Sequence, residues 1–263
     1  MDENNLFLKK IEERARRAES SYAIEGGDFL TMEEQSRADR LMKSLRAQGA
    51  FFYGGYSEAE RKIPVFMPDY TGVDSEEAVV DHFIREPEDC PLVILDLKLP
   101  KQDHTVLSHR DYLGALMAEG IKREKTGDIL VRPDGAQVIV LRELAEYLKE
   151  NIRSVGRASV SAEILTIDRV DPGEIRTEDK RYNVPSPRLD NVVSAVFSVS
   201  RKAAVEAISR GLVFVDGIET VKPDQQLRPG QKIVLRGKGK AFYLGGSGTS
   251  RKGKIYIDVR KYI

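Results

Sequence analysis

A chain of 263 residues with 42 basic and 42 acidic side chains is formally neutral and long enough for two or three domains with real cores. Its single cysteine, Cys90, excludes an internal disulfide and a cysteine-built metal cluster, and fits a reducing cytoplasm. No apolar run approaches the roughly 20 residues that cross a bilayer, and MDENNLFLKK at the start lacks the basic-then-apolar form of an export signal, so neither a membrane contact nor export is expected.

The neutral total hides segregation. Residues 181–263 hold 16 Lys and Arg against 6 Asp and Glu, whereas residues 1–180 hold 26 against 36. A basic module on an acidic carrier predicts a polyanion partner for the C-terminal part, because clustered cations gain affinity by displacing counterions from phosphates.

In chain order, residues 1–85 read as an α/β unit. Leu6, Ile11, Ala15, Ala18 and Tyr22 give an amphipathic first helix, and Thr31 with Glu34 forms a capping box for a second, running to Gly49. FFYGGYSEAERKIPVFMPDY then places two strand-like runs about a double glycine. Its aromatics cluster as core residues do, and Gly54-Gly55 reads as a turn.

Residues 86–170 show strands over 91–99, 128–132, 136–141 and 159–167, with helices over 109–119 and 142–152. The order β-α-β-β-α-β predicts a ferredoxin-like, RRM-like domain. An RRM stacks bases on aromatics of its first and third strands, but LVILDLKL and AQVIVL contain none. RNA contact by this domain is therefore expected from loops and helix ends, with His109, Arg110, Lys122, Arg123 and Lys125 as secondary candidates. His109-Arg110-Asp111 is not a kinase loop, since no glycine-rich loop precedes it and no DFG follows. His104 and His109, with no Cys or second His pair nearby, do not predict a metal site.

Residues 171–187, with Pro172, Gly173, Pro185 and Pro187 among charges, read as a linker. In the last domain, 188–263, Ser186 is expected to cap a first helix with Pro187 at its first position, and Leu189, Val192, Val193, Val196 and Phe197 share one face. Ser200 opens a second helix carrying Ala204, Val205 and Ile208 inward and ending at Gly211. Val213 to Val215 form a strand, and Asp216-Gly217 signals a type I′ hairpin to a strand over 218–221. A strand at Lys232 to Leu235, the basic loop 236–240, a mobile tail GGSGTSRKGK and a final strand over 254–262 follow. The polar residues left over predict an RNA-binding site at Arg188, Ser200, Arg201, Lys202 and Arg210, with Lys222, Lys238 and Lys240 beside it.

Arg188-Leu189-Asp190, Ser200-Arg201-Lys202, Ile208, Gly211, Val213, Val215, Asp216-Gly217, Pro223, Gly230 and Ile233 resemble the S-four domain, the alpha-L RNA-binding motif. That family usually has Asn where Asp216 stands; either permits the turn, but Asp adds a negative charge. FFYGGYSEAER, PDY, HRDYLGALMAEGIKREKTGDILV and VGRASV extend the resemblance to the YlmH-like family over nearly the whole chain. The resemblance implies a cytoplasmic protein that binds rRNA and tRNA on the large ribosomal subunit, in rescue or quality control of obstructed peptidyl-tRNA-bearing subunits.

Catalysis is not expected. Pseudouridine synthases use the Asp of an Arg-Leu-Asp motif as nucleophile, but here the motif opens the binding module itself. No glycine-rich cofactor loop or nucleotide-binding motif is present, so no cofactor and no metal are predicted. A monomer is expected. The alternative class is a protein-interaction scaffold linked to cell division, in which the basic module is incidental; an RNA-modifying enzyme is the third.

Overall fold

The computed structural model describes residues 3–45, 47, 49–173, 177–250 and 253–262. The chain divides into two compact units, Met1–Gly173 and Glu174–Ile263.

The first unit begins with helix α1 (Glu3–Ser21), the short strand β1 (Glu25–Gly26) and helix α2 (Met32–Leu45). Ile11, Ala15 and Ala18 recur at helical spacing and pack with Ala38, Met42, Leu30 and Phe66. Leu6 and Tyr22, the outer members of the expected stripe, are exposed. The capping box forms: the Thr31 amide donates to Glu34 Oε2 at 2.7 Å and the Glu34 amide to Thr31 Oγ1 at 3.3 Å. Strands β2 (Ala50–Tyr53) and β3 (Ile63–Phe66) complete an antiparallel sheet of order β1-β3-β2, and helix α3 (Glu76–Arg85) follows.

Next come β4 (Leu92–Lys98), α4 (His109–Ala118), β5 (Thr126–Arg132), β6 (Gly135–Leu141), α5 (Arg142–Asn151), the small hairpin β7 (Ser154–Val155) and β8 (Ala158–Ser159), and β9 (Ser161–Leu165). The four long strands form one antiparallel sheet ordered β5-β6-β4-β9. Both faces of its central strands are buried. Val93, Leu95, Leu97, Ala136, Val138 and Val140 point to one face and pack against Tyr112, Leu116, Ala145 and Leu148 of α4 and α5. Leu92, Ile94, Ile139 and Leu141 point to the other and share a core with Phe29, Tyr53, Ile63, Val65, Val79 and Phe83.

That second core joins what the sequence divides at residue 85. Residues 1–85 and 86–170 form one unit because the earlier segment covers the sheet face that helices leave open. The apolar runs Leu92–Leu95 in β4 and Val138–Leu141 in β6, with no polar alternation, are the signature of strands covered on both sides.

In the second unit, β10 (Thr177–Val184) lies within the stretch read as a linker. It pairs antiparallel with the last strand, Thr177 opposite Tyr262 and Val184 opposite Ile255. Its charges mislead because it is an edge strand on which only Tyr182 and Val184 reach the core. Then follow α6 (Leu189–Val196), α7 (Arg201–Ser209), β11 (Val213–Val215), β12 (Ile218–Glu219), β13 (Lys232–Leu235), β14 (Gly239–Thr249) and β15 (Ile255–Tyr262). The sheet order is β10-β15-β14-β13-β11-β12. Both helices cover one face, where Leu189, Val193, Val196, Ala204 and Ile208 meet Val213, Ile233, Ala241, Ile257 and Val259.

Local details refine the sequence expectations. Helix α6 starts one residue after Arg188 with no side-chain cap. Ser186 instead accepts a 3.0 Å bond from Asn191 Nδ2, since the amides of Leu189 and Asp190 are already satisfied by the carbonyls of Gln225 and Pro223. Helix α7 ends as expected: Gly211 (φ 68°) donates to Ile208 O and Leu212 to Ala207 O, the paired bonds of a Schellman cap. Asp216 (φ 50°) and Gly217 (φ 75°) make the I′ turn. The following strand stops at Glu219. Residues 245–249 of the expected mobile tail belong to β14, while Arg251 and Lys252 lie outside the described residues.

Candidate nucleic-acid interface

The site in the second unit is organised from below by a carboxylate. Asp190, in the first turn of α6, is 1% exposed. Its Oδ1 accepts from Arg188 Nε at 3.1 Å; its Oδ2 accepts from Arg188 Nη2 at 3.2 Å and from Arg201 Nε and Nη2 at 3.1 and 3.0 Å. Burial opposes its charge, but the two guanidinium groups outweigh burial and hold its pKa below the usual 3.8. One buried anion thus fixes two arginines, one preceding α6 and one opening α7, side by side, while their side chains remain 36% and 61% exposed. With Lys202, Val205 and Pro223 they line a shallow open depression. Three cations at one concave spot, two preoriented, suit phosphate oxygens.

Ser200, next to Arg201, is the N-cap of α7, its Oγ accepting from the Ala203 amide at 3.1 Å. Arg210 does not join the group. Nine residues past Arg201 on the same helix, it lies about 13 Å along the axis and half a turn round, with Glu206 Oε1 3.9 Å away. Lys222 is exposed next to Pro223; Lys238 is exposed at the tip of the β13-β14 hairpin. Lys240 Nζ sits over the Tyr262 ring at 4.6 Å, and Arg236 lies over Phe214 at 4.6 Å. The Asp216 carboxylate is engaged internally, accepting from Gln231 Nε2 and the Lys232 amide, both at 2.8 Å, so its charge is turned toward the hairpin.

The secondary candidates in the first unit divide in two. His109, Arg110 and Lys122 are exposed. Arg123 is consumed internally: its Nη1 donates to the carbonyls of Thr126 and Gly127 at 2.7 and 2.9 Å, and burial and the neighbouring Arg61 lower its pKa to about 10. Lys125 pairs with Asp28 at 2.7 Å. Both are correspondingly poor phosphate ligands. Partial burial and Arg123 push His109 below its usual 6.5, against the pull of Asp128. Asp111 closes a capping box with Ser108, its Oδ2 accepting from the Ser108 amide and hydroxyl at 2.7 Å, which accounts for the His-Arg-Asp triplet as a helix start.

FFYGGYSEAER is also structural. Asp128 of β5 accepts from Tyr56 Oη, the Glu60 amide and the Arg61 amide at 2.8, 2.8 and 3.1 Å, while Arg61 donates to the carbonyls of Thr126, Phe29 and Arg123. Gly55 (φ 93°) lies where a Cβ would meet Ile167 Cδ1 at 2.8 Å. Sequence reasoning missed the anchoring role of Asp190; the Arg-Leu-Asp spacing was the available signal.

Two family models match the chain. Residues 86–183 match the family described as "Putative RNA-binding domain in YlmH", and residues 187–233 match the S4 domain family. A curated relative, "Ribosome-associated protein quality control protein P2" of Bacillus subtilis (strain 168), is 27% identical over 98% of this chain and 95% of its own length. The solved structure "Cell division protein ylmH from Streptococcus pneumoniae" is 20% identical, covers 65% of this chain and 96% of its own, and has a TM-score of 0.47. The class is that of RNA-binding proteins bearing a C-terminal S4 domain. Within that class, the order of the two matches, a YlmH RNA-binding domain followed by an S4 domain, is the YlmH-type arrangement.

Proposed function

We propose that this protein is a non-catalytic RNA-binding factor that associates with the large ribosomal subunit, contacting rRNA and tRNA during rescue of obstructed subunits. The observation that carries the reading is the arginine pair fixed on buried Asp190 inside the S4 match, with Lys202 beside it. The named quality-control relative, aligned along nearly the whole chain, supports the cellular setting.

Arg188, Arg201 and Lys202 form the primary phosphate site, helped by Ser200 at the start of α7; Lys222, Lys238 and Lys240 extend it, and Arg210 serves as a separate outlying contact. The central β-α-β-β-α-β sheet is RRM-like in topology. Its helix-free face, where an RRM reads RNA, lies under the N-terminal segment, so contacts by the first unit fall to His109, Arg110 and Lys122 at its rim.

Co-sedimentation with large ribosomal subunits tests the reading. Arg201→Glu puts a carboxylate where a phosphate would sit and is expected to abolish co-sedimentation at physiological salt and to lower the salt sensitivity of any residual binding. A folded Arg201→Glu variant that sediments with subunits like the unsubstituted protein would refute it.

A further inference from the structure

The face of the second unit's sheet that the helices leave open carries rings and cations in alternation. In register across β13, β14, β15 and β10, Lys232 stands opposite Phe242, Phe242 opposite Arg260, and Arg260 opposite Asp179. One row over, Val234 separates Lys240 from Phe214. Phe242 and Tyr262 are half-buried neighbours with ring centroids 5.9 Å apart. Lys232 lies over Phe242 at 5.7 Å, Lys240 over Tyr262 at 4.6 Å and Arg236 over Phe214 at 4.6 Å. Of the carboxylates on this face, Asp179 and Asp258 are each held by an arginine, Arg260 at 2.8 Å and Arg181 at 2.7 Å, while Glu219 stands opposite Phe214 at the far edge of the sheet.

We propose that this open sheet face is a second RNA site, binding unpaired nucleotides by stacking bases on Phe242 and Tyr262 while Lys232, Lys240 and Arg236 take the phosphates. Rings interleaved with cations on a sheet are the ingredients of single-strand recognition: each base offers a π face to a ring, and the backbone beside it needs positive charge. The ammonium groups already over the rings mark faces that accept a stacked partner. The Asp190 site is built on helices α6 and α7, which cover the sheet's opposite face, so one unit presents a phosphate grip on its helical side and a stacking platform on its sheet side. Lys240, Phe242, Arg260 and Tyr262 lie beyond residue 233, where the S4 match ends. The platform the central sheet lacks is thus supplied by the C-terminal one.

The inference rests on the RNA-binding reading, and the test separates the two. Full-length protein is titrated into a 12-nucleotide oligouridylate carrying one 2-aminopurine, whose emission falls on stacking. The unsubstituted protein is expected to bind and quench. Phe242→Leu with Tyr262→Leu keeps apolar bulk, removes both π faces, and is expected to weaken binding by about tenfold or more and abolish quenching, with large-subunit co-sedimentation retained. Lys232→Glu with Lys240→Glu, which leaves the rings in place, is expected to weaken oligonucleotide binding and flatten its salt dependence. Quenching and affinity unchanged in the folded leucine variant, or an unsubstituted protein that sediments with subunits yet ignores the oligonucleotide, would overturn the platform alone. An unsubstituted protein that does neither would overturn the RNA reading beneath it.

Discussion

Asp190→Asn separates two physical accounts of the arginine site that predict opposite signs. If the site worked by local charge alone, removing an anion beneath it would raise its positive potential and tighten RNA binding. If Asp190 works by orienting Arg188 and Arg201, the same change loosens both and weakens binding. The carboxylate accepts five hydrogen bonds of 3.0 to 3.2 Å, four from the two guanidinium groups and one from the Asn191 amide, at a position 1% exposed. An amide oxygen can accept part of this set, while the amide nitrogen would face donors. Charged hydrogen bonds contribute roughly 1.5 to 3 kcal/mol where buried, but both arginines are more than a third exposed and solvent screens them. A net loss of about 2 kcal/mol follows, or a melting temperature lower by about 8 to 16 °C for a unit of this size. RNA affinity, measured by fluorescence anisotropy on a labelled rRNA hairpin below the new melting point, should fall about tenfold. The slope of log K against log salt should shrink by about one, as ordered phosphate contacts are lost. Affinity that rises or holds in the folded variant would refute the positioning argument.

Two further outcomes are expected. Asp128→Asn removes a carboxylate that accepts three bonds from the Tyr56–Arg61 loop; thermal denaturation should show the first unit destabilised by about 3 kcal/mol, with affinity for the hairpin within about twofold, whereas an equal loss of affinity would make this loop part of the RNA site. The fold holds His109 below its ordinary 6.5, so the unfolded chain takes up the proton first. Stability should therefore fall as pH drops below about 6.5 and level off once the folded state is also protonated. His109→Gln should reduce the melting-temperature difference between pH 7.5 and 5.5, and an unchanged difference would contradict the assignment.

Particular residues show what was legible in the sequence and what was not. The turn at Asp216-Gly217, the Gly211 cap and the Thr31-Glu34 box are local, fixed by backbone conformation and short-range bonds, and each reads directly from residue type and spacing. The β-α-β-β-α-β order likewise follows from runs and breaks along the chain. The covering of the central sheet by the N-terminal segment was not read, although the apolar runs Leu92–Leu95 and Val138–Leu141 carried the signal: a strand with water on one face alternates, and these runs do not. Strand β10 was masked by TEDKRYNV, whose charges belong to an edge strand and whose partner lies some 80 residues away. At the site, the cations Arg188, Arg201 and Lys202 were identified by type, but type cannot say which of them converge. Arg123 and Lys125 fell away because nearby carbonyls and Asp28 engage them, a long-range fact that composition does not hold. The alternation of Tyr256, Asp258, Arg260 and Tyr262 against Ile255, Ile257 and Val259 was visible, and it was read as a strand without asking what its outer face displays.

The most direct test of the central claim is protein–RNA crosslinking in cells followed by mass spectrometry of nucleotide-bearing peptides. The account predicts adducts on large-subunit rRNA from the peptides spanning 188–202, lost in Arg201→Glu at equal protein abundance. Crosslinks confined to residues 1–173, unaffected by Arg201→Glu, would contradict it.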